Sequence, residues 1–320
     1  MPHFFTSFKI TGLAMAQIFI LGAIGYFLVK RKILAEEGLA ALSRLVVEII
    51  FPVLIFSRLV SGFNFQLYAD WWIFPLISLA ITVVAMAIGF LLMRFMRGDK
   101  HKIQLLSLVG FQNSGYLPLA MVAALLPVAE ASTVFIYIFL FLLGFDLLMW
   151  SAGVFMLTSE MAKKFELGSL FSPPVIANLI SLVLISLGIA KFIPDWVMKP
   201  ASMIGNCTLP LAMFVVGGNI ACMHFVKVDK KAVFLMSLGK LIILPALGLW
   251  LILNLNLPKL IGLLIMIQLA MPPATSLSVI IRHYKREDLL ISQGVFFGHL
   301  FSLLTIPLFL SLYFALVMVK

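Results

Sequence analysis

The sequence predicts an all-α integral membrane protein with ten transmembrane helices. Of its 320 residues, 63% are hydrophobic and only 11% are charged. Soluble domains are about half apolar and about a quarter charged, so this composition excludes an ordinary soluble domain. Apolar runs of about 20 residues, long enough to cross a bilayer, recur along the whole chain. The connections between these runs are short and leave no room for a second, soluble domain.

The ten predicted spans cover residues of about 10–29, 39–60, 71–94, 103–125, 131–157, 173–193, 201–222, 232–252, 259–281 and 290–316. The first run exceeds the roughly 7–15 residues of a signal-peptide core, so we expect it to be retained. Lysine and arginine are concentrated after spans one, three, five, seven and nine. Because basic loops face the cytoplasm, we expect a multi-pass protein of the inner (plasma) membrane with both termini outside. The formal charge of +10 is then explained by these loops, and no nucleic-acid partner is expected.

The spacing of the spans indicates that the second half of the chain repeats the first, the alternative being a regular span spacing alone. Adding 158 to the limits of spans one to five gives limits within a few residues of those of spans six to ten. The same offset places Pro52 of span two on Pro210 of span seven. Because five is odd, the second half enters the membrane from the opposite face. The sequence therefore predicts two inverted five-helix repeats, residues 1–158 and 159–320, a design whose sites lie at discontinuous helices.

Spans four and nine are interrupted at equivalent positions of the two repeats. Span four contains Gln-Asn-Ser-Gly at 112–115 and then Pro118, and span nine contains Pro-Pro-Ala-Thr-Ser at 272–276. Prolines remove helix donors, and freed backbone groups at membrane depth must face protein or a wet cavity. We expect the two breaks to approach each other and Pro118 to lie in the first turn of its half-helix. The alternative is a pair of proline kinks that bind no ligand.

The candidate substrate-binding residues follow from these breaks. Half-helix N-termini bring partial positive charge and the preceding C-termini bring carbonyls, so the breaks alone do not choose between an anion and a cation. We expect four of the polar side chains, Asn113, Ser114, Thr275 and Ser276, to cap the half-helices that follow. The complete candidate set is Gln112, Asn113, Ser114, Gly115, Pro272, Pro273, Thr275 and Ser276.

Ionisable side chains inside the spans are candidates for electrostatic or coupling roles, because charge within a membrane is costly. Lys240 in span eight either attracts an anion or neutralises carbonyl ends. Asp146 in span five either carries a coupling proton or pairs with Lys240. His299 in span ten is either a titrating group or a hydrogen-bonded packing residue. Glu48, one turn from Arg44, is expected to form an ion pair with it, the alternative being a second proton site.

Three asparagines, Asn178, Asn206 and Asn219, either line a cavity opposite the breaks or hold helices together. No motif indicates an enzyme: a Walker A sequence is absent, and the five histidines show no metal-ligand spacing. We therefore expect no catalytic residues, no metal and no cofactor.

Five segments resemble the auxin efflux carrier family of bacteria and plants: FPVLIF at 51–56, NSGYLPLAMV at 113–122, LPLAMFVVGG at 209–218, GKLIILPAL at 239–247 and MPPATS at 271–276. The resemblance covers essentially the whole chain. It implies a sodium/bile-acid-symporter-like or NhaA-like architecture with a scaffold of helices one, two, six and seven (10–60 and 173–222). Helices three to five and eight to ten (71–157 and 232–316) would form a transport unit. The substrate would lie where helices four and nine cross and would move with that unit like an elevator.

The same resemblance implies a secondary active or facilitative transporter of a small organic anion in the lipid bilayer. Family substrates are indole-3-acetate in plants and malate- or malonate-type acids in bacteria. This sequence lacks the long loop of the plant carriers between spans five and six, and it has Gln-Asn-Ser at 112–114 where they have Asn-Pro-Asn. A bacterial-type member is therefore implied. The resemblance by itself also suggests a homodimer, paired through the scaffold. A sodium- or proton-coupled symporter or antiporter, and a non-transporting sensor, remain as alternatives.

Overall fold

The computed structural model describes residues 2–158, 171–223, 228–283 and 289–318, and in these ranges the regular secondary structure is helical apart from one isolated β-bridge. The connection after span five lies outside the described residues. The helices are α1 (Pro2–Lys30), α2 (Glu36–Gly62), α3 (Ile73–Met93), α4a (Asp99–Gly110), α4b (Tyr116–Leu125), α5 (Val128–Leu157), α6 (Pro173–Ser186), α7 (Asp195–Ala221), α8 (Lys230–Leu255), α9a (Lys259–Ala270), α9b (Ser276–His283) and α10 (Leu289–Met318).

Seven of the described helices, α1, α2, α3, α5, α7, α8 and α10, are long and apolar enough to cross a membrane. Three shorter apolar helices, α4b, α6 and α9a, coincide with parts of spans four, six and nine. Span six was predicted to reach residue 193, but α6 ends at Ser186. The reason is Gly188, whose φ of 70° is left-handed and ends the helix in a turn. The chain is thus a multi-pass, all-helical membrane protein.

Helices α2 and α7 are both irregular near their middles. A π-helical segment, Val46–Ile50, interrupts α2 just before Pro52, and α7 is interrupted at Cys207 just before Pro210. The two helices touch there, because the Thr208 hydroxyl donates a hydrogen bond of 3.3 Å to the Ile50 carbonyl. These two residues are 158 positions apart, which equals the offset of the predicted repeat.

Helix packing places α4b, α5 and α9a in the interior. Helix α1 packs along α7 and α10, α2 packs against α6 and α7, and α3 packs against α4a and α5. The α1–α7 crossing is very close: a Cβ added at Gly217 would lie 1.7 Å from the Gly22 carbonyl oxygen. Small residues are what permit such an approach between membrane helices. Helix α5 contributes a run of fully or nearly fully buried side chains from Ile138 to Leu142.

Candidate functional site

The interruptions of spans four and nine contact each other directly. The backbone N–H of Asn113 donates to the Pro272 carbonyl at 2.9 Å, and the backbone N–H of Ala274 donates to the Phe111 carbonyl at 3.0 Å. Gln112 and Pro273 lie opposite each other in an isolated antiparallel bridge. Each break therefore supplies the partner that backbone groups freed from a helix require. The expected approach of the two breaks is present.

A buried side chain adds a third link between the breaks. Gln268, near the end of α9a, donates from Nε2 to the Ser114 carbonyl at 3.0 Å. Gln268 has no solvent exposure, so this contact lies in the protein interior. Three hydrogen bonds thus join the backbone at 111–114 to span nine, two of them to the second break and one to Gln268 of α9a.

The predicted capping of α4b by Asn113 or Ser114 is wrong. The N-cap of α4b is Gly115, and no side chain caps it. The Ser114 hydroxyl instead turns back to the Gln112 carbonyl at 3.5 Å. A glycine at the N-cap leaves the first-turn N–H groups without a side-chain acceptor, so they remain available to a ligand. Pro118 lies in the first turn of α4b, as expected.

A cavity of about 140 Å³, here called the break cavity, opens beside these residues. It is lined by six predicted site residues, Gln112, Asn113, Ser114, Gly115, Thr275 and Ser276. Pro272 and Pro273 are buried but do not line it, so their contribution is to the backbone path alone. The structure thus brings both breaks to one small cavity, whose lining combines these polar residues with apolar side chains.

Two of the residues that line this cavity have buried side-chain amide donors. The side-chain nitrogens of Gln112 and Asn113 have no hydrogen-bond partner, although these residues are 0% and 5% exposed. Lys240 Nζ lies 3.3 Å from Gln112 Oε1. An ammonium group can only donate, so the Gln112 oxygen faces Lys240 and its NH₂ group faces away. Unpartnered buried donors are costly, and a carboxylate would satisfy both.

Lys240 contacts Gln112 but does not itself line the break cavity. It is fully buried in a π-helical segment of α8, Leu238–Ile243. Asp146 of α5, by contrast, lines the cavity. These two described residues form no ion pair within 4.0 Å, so the alternative in which Asp146 pairs with Lys240 is not realised.

Several residues of the break cavity were missed by the sequence reasoning. Phe51 of α2, Tyr116 of α4b, Trp150 of α5 and Ser172 before α6 all line it. The rings of Phe51 and Tyr116 are 5.1 Å apart. Two of these residues carried a local signal, because Tyr116 follows the break directly and Trp150 is one helical turn after Asp146. Phe51 and Ser172 come from elements whose approach only the tertiary structure reveals.

The remaining charged candidates lie away from the break cavity. The Arg44 Nε donates to Glu48 Oε1 at 2.8 Å, and both side chains are exposed, which confirms the predicted ion pair. His299 lines a different cavity, described below.

The three asparagines do not line the break cavity either. Asn178 is buried and donates to the Pro174 carbonyl at 3.2 Å. Asn206 is exposed and accepts a hydrogen bond from Arg58 at 3.1 Å, and Asn219 is buried within α7. In the described part of the chain, no three histidine, cysteine or acidic side chains converge on a point. The break cavity thus offers amide, hydroxyl and carboxyl groups to a ligand.

Comparison with known proteins finds similarity to membrane transport proteins. A family described as membrane transport protein matches residues 12–164 and 156–310. The chain is 28% identical over 140 residues to an uncharacterized transporter of Methanocaldococcus jannaschii, which is 42% of this chain and 44% of that protein. It is 28% identical over 120 residues to PIN-LIKES 6 of Arabidopsis thaliana, 37% of this chain and 28% of that protein. An uncharacterized transporter of Schizosaccharomyces pombe is 28% identical over 110 residues, 34% of this chain and 24% of the yeast protein.

The chain thus aligns with less than half of the length of each of these relatives. The two family matches together cover nearly the whole sequence, and they fall on the breaks, the irregular α2 and α7, and the helices around them. A transporter, not an enzyme, is the class to which they point. This chain belongs to the membrane transport protein family, the family of the auxin efflux carriers.

Proposed function

We propose that this protein is a secondary active or facilitative transporter of a small organic anion and binds the carboxylate in the break cavity. The observation that carries the proposal is the pair of buried, unpartnered amide donors on Gln112 and Asn113. Lys240 supports it twice, because it orients the Gln112 amide and adds positive charge behind it. Malonate- or malate-type acids are the first substrates to test, and auxin-like acids the next.

The architecture that we propose around this site has ten membrane crossings in two inverted repeats, residues 1–158 and 159–320. The contact between Thr208 and Ile50 supports it, since two equivalent positions meet only near an axis that relates the repeats. The packing of α1 on α7 and of α2 on α6 supports it too, because the repeat exchanges these two pairs. Helices one, two, six and seven would be the scaffold, and the other six would carry the substrate across like an elevator.

Thermal unfolding of the purified protein with a panel of mono- and dicarboxylates tests the site. We expect a dicarboxylate to raise the unfolding temperature, since a ligand that binds only the folded state stabilises it. The sharpest variant is Gln112→Glu, which still accepts from Lys240 but loses the amide donor. Losing one charge-assisted hydrogen bond weakens binding by about ten- to a hundredfold. If no carboxylate stabilises the wild type, or Gln112→Glu binds a hit unchanged, the proposed site is wrong.

Proton-coupled transport is the second candidate. The observation that favours it is that the Asp146 carboxyl group belongs to a residue lining the break cavity. A carboxylate in the break cavity repels an anionic substrate, and protonation removes that repulsion. We therefore expect uptake into proteoliposomes to increase as the pH falls and to become independent of pH in Asp146→Asn. Glu130→Asn is the matched control, because Glu130 lies in the first turn of the same helix and outside the cavity. Uptake that is equally pH-dependent in Asp146→Asn would exclude this role.

A further inference from the structure

A second, larger cavity lies on the other side of α4b. Its volume is about 340 Å³, and it is enclosed by α1 and α7 together with α4b and α10. Leu117 lines it, whereas the adjacent Tyr116 lines the break cavity, so the two spaces share the first turn of α4b as a wall. The lining is almost entirely aliphatic and aromatic, with Met15, Ile18 and Met213 among its buried members.

Two polar side chains line this mainly apolar space, those of the partly exposed Tyr26 and of the buried His299. His299 is 5% exposed, and its Nε2 has no hydrogen-bond partner. Its Nδ1 lies 2.8 Å from the Val295 carbonyl oxygen. A carbonyl can only accept, so Nδ1 carries a proton and donates it. No acidic or basic side chain lines the cavity to balance a charged ring, which favours the neutral imidazole. The unpartnered Nε2 is then a hydrogen-bond acceptor.

We propose that this cavity is a binding site for an amphipathic molecule with one hydroxyl group on an apolar body of about ten carbon atoms. The hydroxyl donates to His299 Nε2, and the apolar body fills the space between α1 and α7. At about 30 Å³ for each water-sized group, the cavity holds about eleven non-hydrogen atoms. Its volume and its few polar groups in an apolar lining, the His299 ring and the Tyr26 hydroxyl, are typical of small-molecule sites. A phospholipid acyl chain fills such a space but offers no donor, so it leaves Nε2 unsatisfied.

Photolabelling of the full chain in lipid nanodiscs tests this proposal. The probe is a ten-carbon alcohol that carries a diazirine, and the labelled residues are identified by mass spectrometry. We expect labelling within 15–27 of α1 and 213–220 of α7. Unlabelled 1-decanol should suppress this labelling at about three- to tenfold lower concentration than its isomer 1-methoxynonane, which lacks a donor. Equal competition by the two isomers, or labelling elsewhere only, would overturn the proposal.

Two variants separate the polar contact from the space. In His299→Phe the alcohol should lose its advantage over the ether, because the acceptor is gone. Gly22→Val should reduce labelling by the diazirine probe, because Gly22 lines the cavity and the nearest atom to an added Cβ is 4.0 Å away, which leaves room for the larger side chain. Gly12→Val, on the same helix with open space around it and outside the cavity, should label like the wild type. Unchanged labelling in Gly22→Val would place the probe elsewhere and refute the site.

Discussion

The two breaks occupy equivalent positions in the predicted repeat, yet their residues differ in chemistry. The first, at 111–115, has no proline and carries a buried amide pair. The second, at 271–276, has two consecutive buried prolines and carries no amide side chain. Each nevertheless donates one backbone N–H to the other and accepts one in return. The breaks are therefore symmetric in backbone pairing and asymmetric in side chains.

This difference indicates a division of labour. Prolines enforce an interrupted helix without help from side chains, because they lack the N–H and clash with the preceding turn. The proline break can then hold the first break in place through Pro272 and Ala274, while the side-chain nitrogens of Gln112 and Asn113 have no partner. We infer that the second break shapes the site and the first break recognises the ligand. The following predictions test that assignment, from the largest expected effect to the smallest.

Asn113→Asp should have the largest effect on carboxylate binding. The change keeps the size of the side chain and the backbone bond to Pro272, but it replaces an amide donor by a carboxylate. Donor loss combined with like-charge repulsion should weaken binding by more than about a hundredfold. Asn254→Asp is the matched control, because Asn254 is an exposed amide on α8. Affinity is measured by calorimetry, and a loss below tenfold in Asn113→Asp would contradict the assignment.

Lys240→Met should affect both stability and binding, although Lys240 does not line the break cavity. Without the ammonium group, Gln112 Oε1 has no donor in a fully buried position, which costs about 1–3 kcal/mol. The amide is then free to rotate, and we expect carboxylate affinity to fall about tenfold. Lys259→Met removes an exposed lysine that contacts the Met318 carbonyl and should change neither quantity. Wild-type affinity in Lys240→Met would show that Lys240 does not orient Gln112.

Pro273→Ala should lower stability while leaving affinity nearly unchanged. The substitution adds an N–H at a buried position opposite Gln112, and an unpaired buried N–H costs about 1–3 kcal/mol. Pro118→Ala is the comparison in the first break. Its new N–H falls in the first turn of α4b, where such groups are unpaired in any case, so its effect should be much smaller. Thermal unfolding and carboxylate titration of both variants measure the contrast.

If Pro273→Ala instead reduced affinity as strongly as Gln112→Glu, recognition would not be confined to the first break. The same holds if Pro118→Ala destabilised the protein more than Pro273→Ala. Either result would show that the two breaks share both tasks.

Much of this arrangement could be predicted from the sequence, because long apolar runs and proline pairs determine the local structure of the segments that contain them. Apolar length gave nearly all the helix positions, and the proline pair marked the second break without any knowledge of the fold. The pairing of the two breaks followed from the repeat, and the ion pair of Arg44 and Glu48 followed from helical spacing.

The rest depended on contacts between distant elements. No local pattern shows that Lys240 binds Gln112, 128 residues away, or that His299 faces a separate apolar cavity. The capping prediction failed because Ser114 had a second option, its own local turn to the Gln112 carbonyl, while Gly115 took the N-cap. Short polar side chains commonly choose between such local alternatives, and sequence alone does not rank them.

Gly115→Ala should have the smallest effect, and it examines whether the first break needs a glycine at all. Gly115 has a φ of −105°, which other residues adopt, and an added Cβ would lie 3.7 Å from the Phe51 ring, an ordinary contact. Binding and stability should therefore change by less than about 0.5 kcal/mol. Gly144→Ala is the informative contrast, since its Cβ would lie 2.3 Å from the Pro75 carbonyl oxygen and would force α3 and α5 apart. A large loss of carboxylate affinity in Gly115→Ala, at unchanged stability, would mean that recognition depends on freedom of the backbone at this position. The fixed amide donors would then not be sufficient, and the first break would be a moving part as well as a recognition element.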